Sequence, residues 1–129
     1  MEIITVQTSK QKEIVDITNQ VEELLAKLTV KGGLINLFLQ HTTAAITTTD
    51  LDLGTDLDML DAFDKIIPKL NYRHPHDPTH VPDHILSSII GPSLTIPFEN
   101  GKLLLGEWQK VVLIELDGPK ERKIVVSKW

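Results

Sequence analysis

Six consecutive residues, Val111 to Leu116, constrain this chain more than any others: the run is apolar at every position except Glu115. A strand with one wet face alternates apolar and polar side chains, whereas this one requires cover on both sides. The chain has 129 residues, enough to bury one substantial core and too few for two, so residues 1–129 are read as a single domain. In so small a domain the second cover points to a neighbouring subunit, and hence to a symmetric oligomer.

The segments around this strand alternate with period 2 or recur at helical spacing. Ile3 to Thr8 and Glu13 to Ile17 read as strands, expected to pair as an opening hairpin. Asn19 followed by Glu22 resembles a capping box, and Val21, Leu24, Leu25 and Leu28 place a helix over 19–29, ended by Gly32-Gly33. Leu34 to Gln40 is a further strand that runs into His41-Thr42-Thr43-Ala44-Ala45-Ile46-Thr47-Thr48-Thr49-Asp50, where branching at Cβ favours extended backbone. That threonine-rich strand either lines a site or faces solvent, with His41 and Asp50 at its opposite ends. A second helix is expected over 54–68, with Asp56 and Asp58 in its first turn, and a third from Pro82 to the Gly91-Pro92 stop. The remainder is β-structure: Ser93 to Phe98, an Asn100-Gly101 turn, Lys102 to Leu105, Gln109 to Leu116, a turn at Asp117-Gly118-Pro119, and Arg122 to Ser127.

Composition narrows the chemistry. There is no cysteine, which excludes disulfides, thiolate metal sites and a cysteine nucleophile, so any metal must use nitrogen and oxygen. A net charge of -5 gives no general attraction for nucleic acid or an anionic membrane, and a small-molecule partner fits better. No apolar run is long enough to span a bilayer, and the first residues lack the features of a signal peptide, so a cytoplasmic protein is expected.

Four of the five histidines, His74, His76, His80 and His84, fall between Tyr72 and His84 among three prolines. Imidazole is the commonest protein metal ligand and the side chain suited to proton transfer near neutral pH. A rigid histidine loop is therefore a candidate site; a solvated loop with incidental histidines is the alternative. His41, His74 and His84 come from three different segments and match the donor set of a catalytic zinc centre with an open fourth position. Asp50, Asp77, Asp83 or Glu115 can serve as a base or as a partner that orients an imidazole. No Gly-rich phosphate loop, nucleophile elbow or dinucleotide fingerprint is present.

The His-Thr-Thr strand, the run Gly91-Pro92-Ser93-Leu94-Thr95-Ile96-Pro97, Gly106-Glu107-Trp108-Gln109 and Glu115-Leu116-Asp117-Gly118-Pro119 together resemble the YjbQ family, in order and over nearly the whole length. The resemblance implies an α+β fold with a β-sandwich core of two packed, mostly antiparallel sheets and three short helices. It also implies a homotrimer and a secondary thiamine-phosphate synthase activity, which joins a pyrimidine diphosphate to a thiazole phosphate with loss of pyrophosphate. Position by position, His41, His74 and His84 match family histidines, and Thr42, Thr43, Ser93, Trp108 and Gln109 match other recurring residues. Thr49-Asp50 and Glu107 depart from the family's usual Asn-Glu and Thr. The expected site therefore has Asp50 and His41 as catalytic groups and Thr42, Thr43, Ser87, Ser88, Ser93 and Gln109 contacting a phosphorylated small molecule. His41, His74 and His84 are expected to hold a divalent metal, zinc by donor type. A non-catalytic trimer that binds a metal or small anion is the competing expectation.

Overall fold

A computed structural model describes every residue from Met1 to Trp129. Its elements run β1 (Glu2–Gln7), β2 (Glu13–Asp16), α1 (Thr18–Ala26), β3 (Gly32–Leu39), β4 (Ala44–Thr49), α2 (Thr55–Ile66), a 3-10 turn (Pro78–His80), α3 (Val81–Ile90), β5 (Ser93–Glu99), β6 (Lys102–Leu103), β7 (Lys110–Glu115) and β8 (Glu121–Lys128). Two antiparallel sheets result, a five-stranded one in the order β1-β8-β3-β5-β6 and a three-stranded one in the order β2-β7-β4. This is the α+β sandwich of two antiparallel sheets with three helices that the family resemblance implies.

Packing follows from the side-chain period of two. Ile4, Val6, Ile35, Leu37, Leu39, Ile96, Phe98, Ile124 and Val126 from the large sheet meet Ala44, Ile46, Val111 and Leu113 from the small one, with Ile17, Val21 and Leu25 of the α1 region closing an edge. The other face of β7 sends Val112 and Ile114 into a second cluster with Ala45, Leu86 and Ile67. β7 is thus covered on both sides, as its composition demands, but the second cover is the chain's own α3 and the segment after α2. The oligomer drawn from this strand loses that support.

Three local expectations need correction. The opening strands do not pair with each other: β1 lies along β8 and β2 along β7, so the chain changes sheets between them. The loop that makes the change is tied by the Glu13 carboxylate, which accepts from the backbone N–H groups of Ser9 and Lys10. The Asn19–Glu22 capping box does not form, because α1 begins at Thr18, whose N–H donates to Asp16 Oδ1 at 2.9 Å, while Glu22 accepts from Leu103 N–H at 3.1 Å. β6 ends at Leu103 instead of continuing to Leu105. The Asn100-Gly101 turn is as expected, with φ of 52° and 75°, the left-handed pair that a two-residue hairpin of matching twist requires. No helix is long and apolar enough to cross a membrane.

Candidate functional site

Between β3 and β4 the chain runs through Gln40-His41-Thr42-Thr43 without belonging to either strand, and this link gathers groups from distant parts of the sequence. The anchor beneath it is an ion pair. Glu115 is fully buried at the end of β7, and Arg122, only 2% exposed, lies on the core face of β8 two residues before Ile124. Arg122 Nε donates to Glu115 Oε1 at 2.9 Å and its Nη2 donates to Oε2. The carboxylate also accepts from the Thr8 hydroxyl at 2.7 Å and from Asp117 N–H at 3.1 Å. Burial pushes the Glu115 carboxyl up, but these hydrogen bonds and the guanidinium charge outweigh it, and the group is held below its ordinary value. Gly118 closes the far side, where a Cβ would stand 2.4 Å from the carbonyl oxygen of Lys10 and 2.9 Å from Thr8 Oγ1; no other residue fits there.

From this anchor Arg122 reaches the link. Its Nη2 donates to the Thr43 carbonyl at 3.1 Å and to Thr43 Oγ1 at 3.0 Å. Nη1 has no hydrogen-bond partner in the chain, and no buried side-chain nitrogen or oxygen lacks a partner, so Nη1 borders solvent. The solvent it meets fills a cavity of about 430 Å³. Gln40, His41, Thr42 and Thr43 form one wall, His80 and His84 a second, and Asp117, Lys120 and Arg122 a third; none of these side chains is apolar.

The histidines at this cavity differ in what their rings offer. His41 Nε2 accepts from Lys123 N–H at 2.9 Å, so the neutral ring carries its proton on Nδ1. Burial lowers its basicity, as do the nearby charges of Arg122, Lys120 and Lys123, while Glu115 acts in the opposite sense. His84 is the reverse case. Its Nδ1 lies 3.0 Å from the Thr42 carbonyl, which only accepts, so the proton sits on Nδ1 and the Nε2 lone pair is free. His80 faces Asp77 Oδ2 at 3.1 Å through Nε2 and Asp117 Oδ2 at 3.4 Å through Nδ1. Asp77 is itself held below its usual range, first by the Thr79 hydroxyl. Lys120 Nζ donates to Asp117 Oδ2 at 2.8 Å and so reaches an anion only with its remaining N–H groups; with the Nδ1–H of His41 and the free nitrogen of Arg122 it gives the cavity a donor set that suits an anion.

The expected metal set comes together only in part. His74 stacks on His84 with ring centroids 5.6 Å apart, and His41 and His84 share the cavity. A three-histidine centre needs a free lone pair from each ring. His41 spends one on Lys123 N–H, and His74 Nδ1 accepts from His76 N–H at 3.2 Å, which leaves His84 alone with an available nitrogen. No group of three histidine, aspartate or glutamate side chains in the chain is placed to hold an ion. Within one chain, these residues do not fit a three-ligand metal site.

The other expected site residues are dispersed. Asp50 is at the far end of β4, about 20 Å of strand away from the link, where it accepts from Asp52 N–H at 2.8 Å. Gln109 is at that same end, with Oε1 accepting from Gly106 N–H at 2.8 Å and Nε2 donating to Thr48 at 3.2 Å. Ser87 is buried and donates to the Ala44 carbonyl, Ser88 is exposed, and Ser93 is held by Asn36 on the outer face of the large sheet. Gln40, Asp117, Lys120 and Arg122 are the cavity residues that sequence reasoning does not single out, and His80 belongs to the candidate histidine loop without being assigned a role there. For Arg122 a signal existed: it shares a strand face with Ile124 and Val126, and a charge at a core position calls for a buried partner such as Glu115.

Comparison with known proteins places this architecture. The family model described as UPF0047 protein YjbQ-like matches residues 2–129. The chain belongs to the YjbQ family. This YjbQ-family chain is 34% identical over 125 residues to a UPF0047 protein of Archaeoglobus fulgidus, covering 96% of the chain and 97% of the relative. It is also 34% identical over 128 residues to the UPF0047 protein YugU of Bacillus subtilis, covering 98% and 97%. Among solved structures, an uncharacterized YjbQ/UPF0047 protein from Clostridium acetobutylicum has a TM-score of 0.89 at 37% identity, with both chains covered completely. A hypothetical protein from Aeropyrum pernix has a TM-score of 0.90 at 30% identity, covering 100% of this chain and 98% of that one.

Proposed function

We propose that this protein binds the phosphate end of a small phosphorylated molecule in the cavity built on His41-Thr42-Thr43. One observation carries the reading: Arg122 is almost wholly buried and clamped by Glu115, yet keeps one guanidinium nitrogen unpartnered at a cavity without apolar walls. A buried charge costs several kcal/mol unless it is paired; Glu115 supplies that pairing, and an anion contacting the free nitrogen adds a charge-assisted bond at the solvent-filled cavity. Lys120 and the Nδ1–H of His41 extend the same donor set. Titration calorimetry with inorganic phosphate and with thiamine phosphate tests this. Lys120→Ala is expected to weaken both by roughly 5-fold, since removal of one charged contact costs about 1 kcal/mol. No binding of either ligand at millimolar concentration sinks the proposal.

Thiamine-phosphate synthesis, the activity implied by family resemblance, is consistent with such a cavity because both reactants end in phosphate groups. In that reaction a carbon–nitrogen bond forms to the thiazole as the carbon–oxygen bond to diphosphate breaks, and pyrophosphate leaves with the electron pair. Donors at Arg122, Lys120 and His41 suit the departing charge. The purified protein, supplied with the two precursors, is expected to form thiamine phosphate slowly; none formed at saturating precursor rejects this activity and leaves phosphate binding standing.

A divalent metal, zinc by donor type, is the second reading. It is favoured by the hydrogen bond from His84 Nδ1–H to a carbonyl, the usual way of orienting a metal-binding imidazole. Its remaining ligands must come from another copy of the chain. A homotrimer gives such a copy, and the outer face of the large sheet offers a surface for it: Ile3, Val125 and Phe38 are adjacent across β1, β8 and β3, with Ile3 58% and Phe38 45% exposed. Sedimentation of wild type at three times the chain mass and of Phe38→Glu at one supports that surface; a wild-type monomer rejects it. Metal content retained in untagged His84→Ala excludes His84 as a ligand.

A further inference from the structure

Among the cavity's donors, His84 Nε2 is the one nitrogen with a free lone pair. Its orientation and that of Arg122 come from neighbouring peptide groups: His84 Nδ1–H is held by the Thr42 carbonyl, and Arg122 Nη2 by the Thr43 carbonyl. Consecutive Cα atoms are about 3.8 Å apart, so the imidazole and guanidinium hang from adjacent units of one short link. Beside a bound phosphate such a nitrogen has two uses: with a proton it donates to a phosphate oxygen, and without one it can attack phosphorus. We propose that His84 is a nucleophile and that the protein hydrolyses phosphomonoesters through a phosphohistidine at Nε2. The proposal rests on the phosphate-binding reading and extends it to a reaction that phosphate binding alone does not require.

The steps balance. Nε2 forms a bond to phosphorus while the ester P–O bond breaks, and its electron pair leaves on the alcohol oxygen, which takes a proton from the solvent that fills the cavity. Water then attacks phosphorus, the P–N bond breaks with its pair returning to Nε2, and the proton lost by water returns to solvent. The sum is ester plus water giving alcohol plus inorganic phosphate. His80 lines the same cavity, but both of its ring nitrogens face carboxylates, those of Asp77 and Asp117, so it orders that wall and takes no part in the proton transfers. Arg122 and Lys120 take the charge that gathers on the equatorial oxygens.

The test uses the full chain treated with a chelator, with p-nitrophenyl phosphate as substrate and inorganic phosphate as binding probe. Turnover is expected, together with an acid-labile, alkali-stable phosphate on His84 located by mass spectrometry of rapidly quenched enzyme. His84→Asn keeps a donor for the Thr42 carbonyl and removes the nucleophile. It should lower turnover roughly 100-fold or more, abolish the phosphohistidine, and change phosphate affinity by less than about 3-fold. Phosphate binding without turnover, turnover without phosphohistidine, or turnover surviving in His84→Asn each overturns the nucleophile and leaves the binding reading intact. Absence of phosphate binding removes both.

Discussion

The two ends of β4 carry equally polar sequence and do opposite things with it. At the Thr47-Thr48-Thr49-Asp50 end, polar groups are used up locally: Thr48 receives the Gln109 amide, Gln109 and Asp50 accept nearby backbone N–H groups, and Thr49 turns to the Asp50 carbonyl and Met59 sulfur. At the His41-Thr42-Thr43 end, a buried guanidinium and a half-buried imidazole are oriented by carbonyls and still have unused nitrogen at a cavity. Threonine density alone therefore does not mark a site. A polar group that is costly to bury and is left with capacity to spare does.

The largest effect expected from this contrast is at the anchor. Glu115→Ala leaves Arg122 charged and unpaired in the interior, and loss of one partner of a buried pair costs about 3–5 kcal/mol. Urea denaturation should report a midpoint lowered by that amount divided by the slope. A loss under about 1 kcal/mol would break the comparison, since the near end would then be no more strained than the far one.

Acid is the next lever, and its sign follows from which state binds the proton. Glu115 is held below its ordinary value of 4.5 in the fold, so its contribution is present above that pH and is lost as pH falls through its lower folded value. His41 is lowered from 6.5, so the unfolded chain takes up a proton first and stability declines as pH falls below 6.5. Thermal midpoints should therefore fall in two stages on acidification. His41→Gln should erase the upper stage and leave the lower one; an unchanged upper stage would place its origin elsewhere.

How much of this was legible beforehand depends on the range of the interaction. The individual strands and helices are legible because strand period, the Asn100-Gly101 turn and the doubly apolar β7 are local properties, whereas their assembly into a sandwich rests on the resemblance to the YjbQ family. The partner of β1 is not: Val6 and Ile14 alternate alike whether the two strands share a sheet or face each other across the core. From sequence alone the second cover of β7 reads as another subunit, because nothing local says that α3 will fold back over Val112 and Ile114. At the site, His41 and His84 were found by residue type. The ring nitrogen each leaves free depends on the Lys123 N–H and the Thr42 carbonyl, contacts between distant parts of the chain that no spacing encodes. Arg122 was missed because its strand was read for its apolar members, although its place in the alternation set it on the core face.

The smallest expected effects lie at the far end of β4, and they sharpen the contrast most. Gln109→Ala removes two exposed hydrogen bonds and Asp50→Asn weakens one, so each should cost about 1 kcal/mol or less. Neither residue lines the His41 cavity, and phosphate affinity should stay within about 2-fold of wild type in both variants, about 0.4 kcal/mol. A 10-fold loss of phosphate binding in either one, with the thermal midpoint unchanged, would move the ligand to the threonine end. It would also show that groups already satisfied within the chain can be recruited by a substrate, and the physical criterion separating the two ends would then fail.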